Sequence, residues 1–445
     1  MAYLPYWIHA YDESPGIVCT LPGMQSAPYN RPSFSSFSRE SSSHSLTVTT
    51  GGNTIAGNLP TPATSPNQVM ARKHESGSDG GSSDRASAAN LKALRVQIDK
   101  LDLQILEMLN KRASVAAQIG KVKSEAGGEV FSASREEEVL DNVLRASKGP
   151  LQEVTLKAIF RELISGCRAL QRVQRVAFLG PEYSYSHLAA LERFGQAVEF
   201  VRVGSIPAVF EEVGRKHVDY GLVPLENTTD GRIADTLDCF VRLEQIKICA
   251  EVRLRVHHHL LSNAQQTDIR RVYSKAQALS QCRHWLGKNL PQATLHEVSS
   301  TADAARLVQT DPHAAAVASR EAAVRYGLRV LFSNIEDHPE NETRFAVIAP
   351  HDSARTSHDK TAVLFQVAHT PGSLADVLQV FKQNKINLTW IESFPFRDAK
   401  GEYVFFADFD GHHEDQKVKK ALKSLEEVCE SVSVLGSFPA AKPTE

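Results

Sequence analysis

Residues 223–228 read Val-Pro-Leu-Glu-Asn-Thr, and residues 343–345 read Thr-Arg-Phe. The first stretch ends an apolar, strand-like run in Glu226-Asn227-Thr228, which places three polar side chains at the mouth of a predicted sheet. Open α/β sheets bind ligands at this end of their strands. The second stretch puts the neutral hydroxyl donor Thr343 beside a cation, Arg344. Neither stretch alone is a specific signal of function, so their interpretation depends on the sequence around them.

Strands and helices alternate on both sides of these stretches. A strand over 176–179 exits through Gly180-Pro181 into a helix over 186–194. Further strands are predicted over 218–225, 247–254, 256–261, 271–274 and 313–318. The pattern predicts two α/β lobes with a cleft between them. Such lobes also form solute-binding modules, so the fold alone does not separate an enzyme from a binder.

Residue by residue, this region resembles the prephenate dehydratases. The matching motifs are Phe178-Leu-Gly-Pro181, Tyr185-Ser-His187, Pro224-x-Glu226-Asn227-Thr228, Gly231, His258-x-Leu260, Tyr273-Ser274, Gln277, Gln281-Cys282, Ser300-Thr301 and Thr343-Arg344-Phe345. The resemblance implies a two-lobed α/β domain of the periplasmic-binding-protein type over 175–353. It also implies conversion of prephenate to phenylpyruvate without a metal or cofactor.

The same resemblance implies roles for individual residues. Thr343 would donate a proton or hydrogen bond to the departing hydroxyl, and Arg344 would hold a carboxylate. Asn227 and Gln277 would orient the substrate. The rest of the implied prephenate-binding set is Ser186, Glu226, Thr228 and Phe345. Two positions depart from the family: Tyr183 stands where Gly is usual, and Lys275 where His is frequent.

Upstream, a long helix is predicted from 91 to the Gly127-Gly128 pair. Apolar residues recur there at spacings of three and four, which indicates a helix with an apolar seam. The seam is formed by Leu91, Leu94, Ile98, Leu101, Ile105, Met108, Val115, Ile119 and Val122. At 1.5 Å per residue the helix is about 55 Å long, so it must pack against something equally long, and a second copy of the chain is expected. Ser134 and Glu137 form a predicted capping box for a second helix, and a third is predicted over 155–172.

Cations on this hairpin share a face. Arg112 and Lys123 are eleven residues apart, so they lie on nearly the same helix face and roughly 16 Å apart along it, and both side chains can reach one small dianion between them. Arg95 is too distant for that site on a straight helix, but it can reach the site of a dimer partner. A solvated charged face is the alternative for any one of these residues.

Residues 88–174 as a set resemble the all-helical chorismate mutases. The motifs are Leu-Arg95-x-x-Ile-Asp-x-Leu-Asp102, Asn110-Lys-Arg112, Gly120-Lys-Val-Lys123, Arg135-Glu136 and Gln171. The resemblance implies that Lys123 and Gln171 donate to the ether oxygen of chorismate. Arg95 (from the partner chain) and Arg112 would clamp carboxylates, Glu136 would meet a hydroxyl, and Arg135 would complete the pocket. Ser132 and Cys167 depart from the pattern of the enterobacterial relatives.

The last part of the chain predicts a third domain over 358–440. Strands over 361–367, 386–392, 403–410 and 432–435 and helices over 372–382 and 416–429 give the order βαββαβ of a ferredoxin-like α+β fold. Pro371-Gly-Ser-Leu-Ala375 and Ile391-Glu-Ser393-x-Pro395 resemble ACT domains that bind phenylalanine. The implied effector contacts are Pro371, Gly372, Ser373, Leu374, Glu392 and Ser393. Phe394 replaces an Arg that is usual there, and a purely structural domain remains an alternative.

Composition limits the other functions. Residues 1–87 are rich in Ser, Gly, Asn and Pro, and are predicted to be disordered; a transit peptide or an early start codon are alternatives. A net charge of -2 gives no reason to expect nucleic acid or a membrane surface as partner. The 17 histidines have no metal-site spacing, and the six cysteines have no paired spacing, as in a reduced cytoplasmic protein.

The sequence therefore predicts a multidomain, homodimeric or larger enzyme that makes phenylpyruvate from chorismate and is inhibited by phenylalanine. One alternative is a dehydratase with a relic mutase domain that only dimerises. Another is a non-catalytic amino-acid sensor, against which Thr343 and Asn227 argue. Removal of residues 357–445 is expected to abolish the effector response and leave basal activity.

Overall fold

The computed structural model describes residues 80–126, 129–229, 231–395 and 403–444. Within these ranges the helices are α1 (Gly80–Ala126), α2 (Ala133–Ala146), α3 (Glu153–Ala169), α4 (Tyr185–Phe194), α5 (Ile206–Gly214), α6 (Ala234–Arg242), α7 (Ala276–Gln281), α8 (Arg283–Asn289), α9 (Thr301–Val308), α10 (Arg320–Tyr326), α11 (Ser373–Gln383) and α12 (Gln416–Val428). The strands are β1 (Arg175–Leu179), β2 (Glu199–Val203), β3 (Tyr220–Asn227), β4 (Gly231–Arg232), β5 (Lys247–Arg255), β6 (His259–Ser262), β7 (Arg271–Ser274), β8 (Thr294–Glu297), β9 (Ala314–Ala318), β10 (Arg329–Phe332), β11 (Glu342–Ala349), β12 (Asp359–Gln366), β13 (Leu388–Pro395), β14 (Tyr403–Asp410), β15 (Ser431–Pro439) and β16 (Pro443–Thr444).

The helical domain consists of α1, α2 and α3. Helix α1 begins at Gly80, inside the segment predicted to be disordered. Once a helix has formed, each residue added to its end gains one hydrogen bond. The rest of that segment, residues 1–79, lies outside the described residues, as do Gly127 and Gly128. The segment that follows α3 approaches α1 so closely at Gly120 that a Cβ there would lie 2.5 Å from Cγ of Gln171.

The predicted capping box at the start of α2 is wrong. The N-cap is Ser132, whose extended backbone leaves its hydroxyl free to accept from the backbone N–H of Arg135 at 3.4 Å. Ser134 lies inside the first turn of the helix, where its backbone is already helical and cannot serve as the cap.

The predicted two lobes are present. The first lobe is a mixed sheet of order β16-β5-β11-β3-β1-β2, with β4 paired to β3. After β5 the chain leaves this sheet, builds the second lobe around a sheet of order β10-β6-β9-β7-β8, and returns as β11 between β5 and β3. Strands predicted from the sequence are present with bounds shifted by a few residues, but β2, β4, β8, β10, β11 and β16 were not predicted.

The C-terminal domain has the predicted βαββαβ order. Its antiparallel sheet runs β13-β14-β12-β15, with α11 and α12 packed together over one face. The core on that face includes Phe365, Phe381 and Phe409, all nearly or fully buried. This arrangement confirms the ferredoxin-like fold.

The other face of the C-terminal sheet packs against the first lobe. Phe394, Phe406 and Phe438 of this sheet share one hydrophobic core with Phe240 and Ile348 of the first lobe. The sheets touch most closely at Gly436, where φ is +140° and an added Cβ would lie 2.3 Å from the carbonyl oxygen of Ile248. Only glycine fits such a contact. The two domains are therefore one folding unit.

The opposite face of the first-lobe sheet receives the helical domain. Phe131, in the segment before α2, packs against Phe194 and Tyr220 with ring centroids about 5 Å apart (5.1 and 5.0 Å). Phe131 itself is 3% exposed. The first-lobe sheet thus lies between the helical domain and the C-terminal domain.

The shared core revises the expectation that residues 357–445 can be removed without loss of basal activity. Deleting them would expose Phe240, Ile348 and their neighbours to water, and buried apolar surface of this kind stabilises a fold by roughly 25 cal/mol per Å². We therefore expect a truncated chain to be unstable.

A point variant tests the shared core. Phe406→Ala should reduce the free energy of unfolding by roughly 3–5 kcal/mol, because Phe406 is fully buried between the two domains. Leu378→Ala, at a position 41% exposed on α11, is the matched control and should change it by less than about 0.5 kcal/mol. Calorimetry should show residues 175–444 melting in one transition. A separate low-temperature transition of the C-terminal domain alone would contradict the shared core.

Candidate active sites

The first cavity lies between the two lobes. Side chains at the ends of β1, β3 and β11 meet the first turns of α4, α7 and α9 there. The lining residues are Leu179, Gly180, Ser184, Tyr185, Ser186, Pro224, Asn227, Ile233, Val256, His258, Lys275, Gln277, Ala278, Gln281, Ser299, Ser300, Thr301, Asn341, Thr343 and Phe345. Five of the predicted site residues are therefore together: Ser186, Asn227, Gln277, Thr343 and Phe345.

Asn227 and Thr343 form a directly bonded pair. They are opposite each other in the β3–β11 ladder, and Nδ2 of Asn227 donates to Oγ1 of Thr343 at 2.8 Å. The backbone N–H of Thr229 donates to Oδ1 of Asn227 at 3.0 Å, which fixes the orientation of the amide. Because Thr343 accepts from Asn227, its own hydroxyl hydrogen is directed to another acceptor. The geometry suits a hydrogen-bond or proton donor that faces the cavity.

A buried polar network supports the other wall. Nε2 of His258 lies 2.9 Å from Oε1 of Gln281, which also accepts from Nδ2 of Asn341 at 3.0 Å. Nδ1 of His258 lies 3.1 Å from the hydroxyl of Tyr185. Burial lowers the pKa of His258, so the ring is neutral at pH 7 and donates through Nε2 to the amide oxygen. The sequence motifs had not singled out Asn341.

The cavity is electrostatically suited to an anion. None of the described residues that line it is acidic, and Lys275 contributes a cation. The N-termini of α4 and α9 open onto it, where Ser184 and Ser300 cap the helices by accepting backbone N–H groups. Free N–H groups at a helix N-terminus and its positive dipole end stabilise a carboxylate.

Arg344 and Glu226, two predicted substrate contacts, do not face this cavity. Side chains alternate along a strand, so the neighbours of Thr343 and Asn227 point to the opposite face. Arg344 pairs there with Glu251 at 2.7 Å and with Asp408 of the C-terminal domain. Glu226 lies beside it, opposite Arg344 in the ladder. This orientation of Arg344 does not support its predicted contact with a substrate carboxylate, because the side chain points away from the cavity.

Thr228 is also placed outside the cavity. Its hydroxyl accepts from the backbone N–H of Glu342 at 2.9 Å and its backbone N–H donates to the carbonyl of the same residue at 2.9 Å, so it fastens the end of β3 to β11. Tyr183, where the family usually has Gly, has φ 63°, a left-handed conformation that glycine adopts most easily. Its ring packs on Arg325 of the second lobe, with the guanidinium carbon 5.5 Å from the ring centroid.

The second cavity lies within the helical domain. It has a volume of about 680 Å³ and is lined by Lys111, Arg112, Val115, Ala116, Ile119, Lys123, Val130, Ser132, Arg135, Glu136, Val139, Ile164, Cys167, Arg168 and Gln171. Arg112, Lys123, Arg135, Glu136 and Gln171 were predicted to meet here. Arg95 does not line it, and its role in the site of a second chain stays a prediction.

Three side chains of this cavity have defined partners. Nζ of Lys123 donates to the carbonyls of Glu129 and Val130 at 2.8 and 3.3 Å, which leaves one of its three N–H groups for a ligand. Glu136 accepts from Arg168 and, at 3.3 Å, from Arg193. Arg193 belongs to α4, so the two-lobed domain supplies a cation to the helical one. The sequence had not singled out Arg168, which is 4% exposed.

Two other predicted groups of this cavity are Gln171 and Arg135. Oε1 of Gln171 is buried and has no hydrogen-bond partner among the described residues. Arg135 pairs with Glu138 at 2.6 Å, one turn along α2, and its side chain is 65% exposed. Arg135 is therefore placed at the rim.

The predicted effector contacts lie toward one end of the C-terminal sheet. Gln366 of β12 and Phe394 of β13 both pair with Val404 of the intervening strand β14, so the loop to α11 and the end of β13 are at the same end of the sheet. Pro371, Gly372, Ser373, Leu374, Glu392 and Ser393 are exposed or half-buried there. Gly372 has φ 97°, which permits the tight entry to α11.

The side chain of Phe394 is buried in the core shared with the first lobe. Its replacement of an arginine therefore serves packing. The cation near this motif is Arg232 of β4, which donates to Glu392 at 3.3 Å and to the carbonyl of Ser393 at 2.7 Å.

Two further observations concern the described part of the chain as a whole. No group of three His, Cys, Asp or Glu side chains is placed to hold a metal ion. None of the helices described there combines the length and the apolar content that crossing a membrane requires.

Family models match all three domains. Residues 94–172 match chorismate mutase type II, residues 176–353 match prephenate dehydratase, and residues 361–427 match the ACT domain. All three ranges fall within the domains predicted from the sequence.

Curated relatives extend the similarity over most of the chain. The bifunctional chorismate mutase/prephenate dehydratase of Aquifex aeolicus is 44% identical over 356 residues, which is 79% of this chain and 98% of the relative. That of Pseudomonas aeruginosa is 41% identical over 80% of this chain and 99% of the relative. Among solved structures, the prephenate dehydratase of Arthrobacter aurescens in complex with L-Phe is 30% identical with a TM-score of 0.56, covering 61% of this chain and 92% of that one.

Proposed function

Because the chain belongs to the family of bifunctional chorismate mutase/prephenate dehydratases, we propose that its helical domain rearranges chorismate to prephenate and its two-lobed domain converts prephenate to phenylpyruvate. The observation that carries this proposal is the presence of two separate cavities in one chain, each lined by five of the predicted site residues. The reaction sequence belongs to phenylalanine biosynthesis. A non-catalytic sensor would use the cavity between the lobes for binding, but it gives no role to the hydrogen-bonded Asn227–Thr343 pair or to the second cavity.

In the helical domain, catalysis requires positioning and charge stabilisation. The rearrangement breaks an ether bond and forms a carbon–carbon bond without a nucleophile or base. We propose that Arg112 and the partner chain's Arg95 clamp the two carboxylates of chorismate, which holds the reactive conformer. Lys123 and Gln171 then donate to the ether oxygen as it gains negative charge. Glu136 accepts from the substrate hydroxyl, and Arg135 lies at the entrance.

In the two-lobed domain, aromatisation drives the reaction. Prephenate loses its ring hydroxyl and its ring carboxylate: the electron pair of the breaking carbon–carboxylate bond completes the aromatic ring, carbon dioxide leaves, and hydroxide departs. We propose that Thr343, oriented by Asn227, donates to that departing hydroxyl. Ser186 and Gln277 bind the substrate's polar groups, and Phe345 supports its ring. The N-termini of α4 and α9 and Lys275 take over the carboxylate-binding role first assigned to Arg344.

The ACT domain is the regulatory part of the proposal. A dehydratase of similar structure was solved with L-Phe bound, and we propose that phenylalanine binds here between ACT domains of two chains and inhibits the dehydratase. Pro371-Gly-Ser-Leu374 would receive the amino acid at the start of α11, beside Glu392 and Ser393. These residues are open at the surface of one chain, as a site completed by a second chain requires.

We further propose a homodimer formed along α1. The seam that includes Leu94, Leu101, Ile105 and Met108 is exposed in the single chain, with 48–55% of each residue accessible. Such a continuous apolar stripe on a helix of 47 residues marks an interface. We place the enzyme in the cytoplasm, since the five described cysteines are all unpaired thiols.

The overall activity is tested by a coupled assay. Full-length protein supplied with chorismate should form phenylpyruvate, measured by its absorbance in alkali, and phenylalanine should lower the rate. Prephenate supplied directly should be consumed as well. Consumption of prephenate without consumption of chorismate would instead establish the relic-mutase alternative.

Thr343→Ala should reduce the dehydratase rate by roughly two or more orders of magnitude, since a positioned proton donor contributes about that much. Thr343→Ser should retain part of the activity because it keeps the hydroxyl. The mutase reaction occurs in a separate cavity, so the Ala variant should accumulate prephenate from chorismate. A full dehydratase rate in Thr343→Ala would show that another group is the donor.

Subunit mixing tests the shared mutase site. Arg95→Ala and Lys123→Ala should each lose most mutase activity, because each loss removes a charge-assisted contact worth roughly 1.5–3 kcal/mol. If Arg95 acts in the partner's site, an equal mixture of the two variants that is denatured and refolded together should recover roughly a quarter of the wild-type mutase activity. About half of the refolded dimers should contain one chain of each variant, and each of these has one intact site of two. The dehydratase rate of every sample is the control for refolding. A mixture no more active than its components would contradict the shared site.

A further inference from the structure

Arg344 occupies an unusual position next to the proposed proton donor. Its neighbours Thr343 and Phe345 both line the dehydratase cavity, whereas its own side chain crosses to the ACT domain. There the guanidinium pairs with Asp408 of β14 and lies 5.5 Å from the ring centroid of Trp390 of β13. One strand, β11, thus presents alternate side chains to the active site and to the regulatory domain.

The charges around Arg344 are balanced and buried. Nε of Arg344 donates to Glu251 at 2.7 Å, and Glu251 also accepts from the backbone N–H of Ala441 at 2.8 Å and from Lys360 at 3.4 Å. Burial alone would lower the pKa of Arg344, but Asp408 and Glu251 hold it above its ordinary value. The other oxygen of Asp408 is buried without a hydrogen-bond partner among the described residues. Asp408 therefore depends on Arg344, since an uncompensated buried charge is costly.

A second arginine makes a parallel connection. Arg232 of β4 pairs with Glu226 in the β3–β4 ladder, one position from the pairing of Asn227 with Gly231. Its guanidinium donates to Glu392 and to the carbonyl of Ser393 in the ACT domain. The next residue along the chain, Ile233, lines the dehydratase cavity.

We propose that Arg344 and Arg232 are positioning residues that tie the Asn227–Thr343 pair to the ACT sheet, so that a change in the ACT domain changes the placement of the Thr343 hydroxyl. The regulatory part rests on the proposed function, in which phenylalanine binds the ACT domain.

The physical basis is the direct connection, through β11 and β4, between the two arginines and the Asn227–Thr343 pair. This connection leaves little room for either group to move without the other. Arg344 and Thr343 share a peptide bond, and Asn227 meets Thr343 through a single hydrogen bond of 2.8 Å. A displacement of about 1 Å in a reacting group can reduce a rate by a factor of about 100. An effector that binds the two arrangements of the ACT sheet unequally therefore changes dehydratase activity without touching the substrate.

The test uses the full-length protein and the variant Asp408→Asn, which removes the charge with little change in shape. We expect the dehydratase kcat to fall about tenfold with little change in KM, because substrate contacts are kept while the donor is displaced. Phenylalanine should still bind, as measured by calorimetry, because its proposed site at the end of the ACT sheet does not include Asp408. The ratio of activity without and with saturating phenylalanine should fall toward one, and mutase activity should be unchanged.

Asp311→Asn is the matched control. Asp311 accepts two hydrogen bonds from Arg271, at 2.9 and 2.7 Å, in the second lobe and lines neither cavity. It should reduce stability somewhat and leave kcat and the phenylalanine response unchanged. If Asp408→Asn behaves in the same way, with a lower melting temperature but wild-type kcat and inhibition, the proposal is overturned.

Arg232→Gln provides an independent arm if Asp408→Asn does not fold, because Arg232 is at the surface, with 36% of its side chain exposed. It should weaken inhibition by phenylalanine relative to wild type; unchanged inhibition would overturn the proposal. Absence of phenylalanine binding to the wild-type protein would refute the proposed regulation instead. In that case the kcat of Asp408→Asn still decides whether the ACT domain positions Thr343.

Discussion

A buried guanidinium is the constraint on which the arrangement of domains depends. Arg344 is buried between Glu251 of its own sheet and Asp408 of the ACT sheet. If the two domains separated, Arg344 and Asp408 would lose each other as ion-pair partners. Apolar side chains could move apart and repack, but this ion-paired group requires its partners at fixed distances. The shared core of Phe240, Phe406 and their neighbours then fills the space that these ion pairs define.

From this constraint follows a layered molecule in which the first-lobe sheet is central. One face of that sheet receives the ACT domain and the other receives the segment around Phe131 of the helical domain. The dehydratase cavity opens at the end of the same sheet, where Asn227 and Thr343 face each other. The dehydratase cavity therefore lies at one end of this sheet, the ACT domain on one face and the mutase domain on the other.

Sequence patterns predicted the three domains, the βαββαβ order and both residue clusters, since these depend on local periodicity and short motifs. They did not predict which way the Arg344 side chain points. The motif shows that Arg344 follows Thr343, but only the alternation of side chains along the strand shows that the two point to opposite faces of the sheet. The role of Asn341 was missed because its partners Gln281 and Thr229 are distant in sequence. Arg168 and Arg193 were missed for the same reason. The α2 cap was misplaced by two residues, since Ser132 and Ser134 are chemically equivalent and only backbone conformation separates them.

Helix α4 has a consequence for how such enzymes can be recombined. Its first turn carries Tyr185 and Ser186 into the dehydratase cavity, and its last turn carries Arg193 to Glu136 in the mutase cavity. A chimera that grafts a foreign mutase domain onto this dehydratase must therefore supply an acid that matches Arg193, or leave that arginine without its counter-ion. The two enzyme domains are joined by a linker, but they are also matched in charge through Arg193 and Glu136. Exchange of domains between relatives is therefore limited by this charge match rather than by the length of the linker.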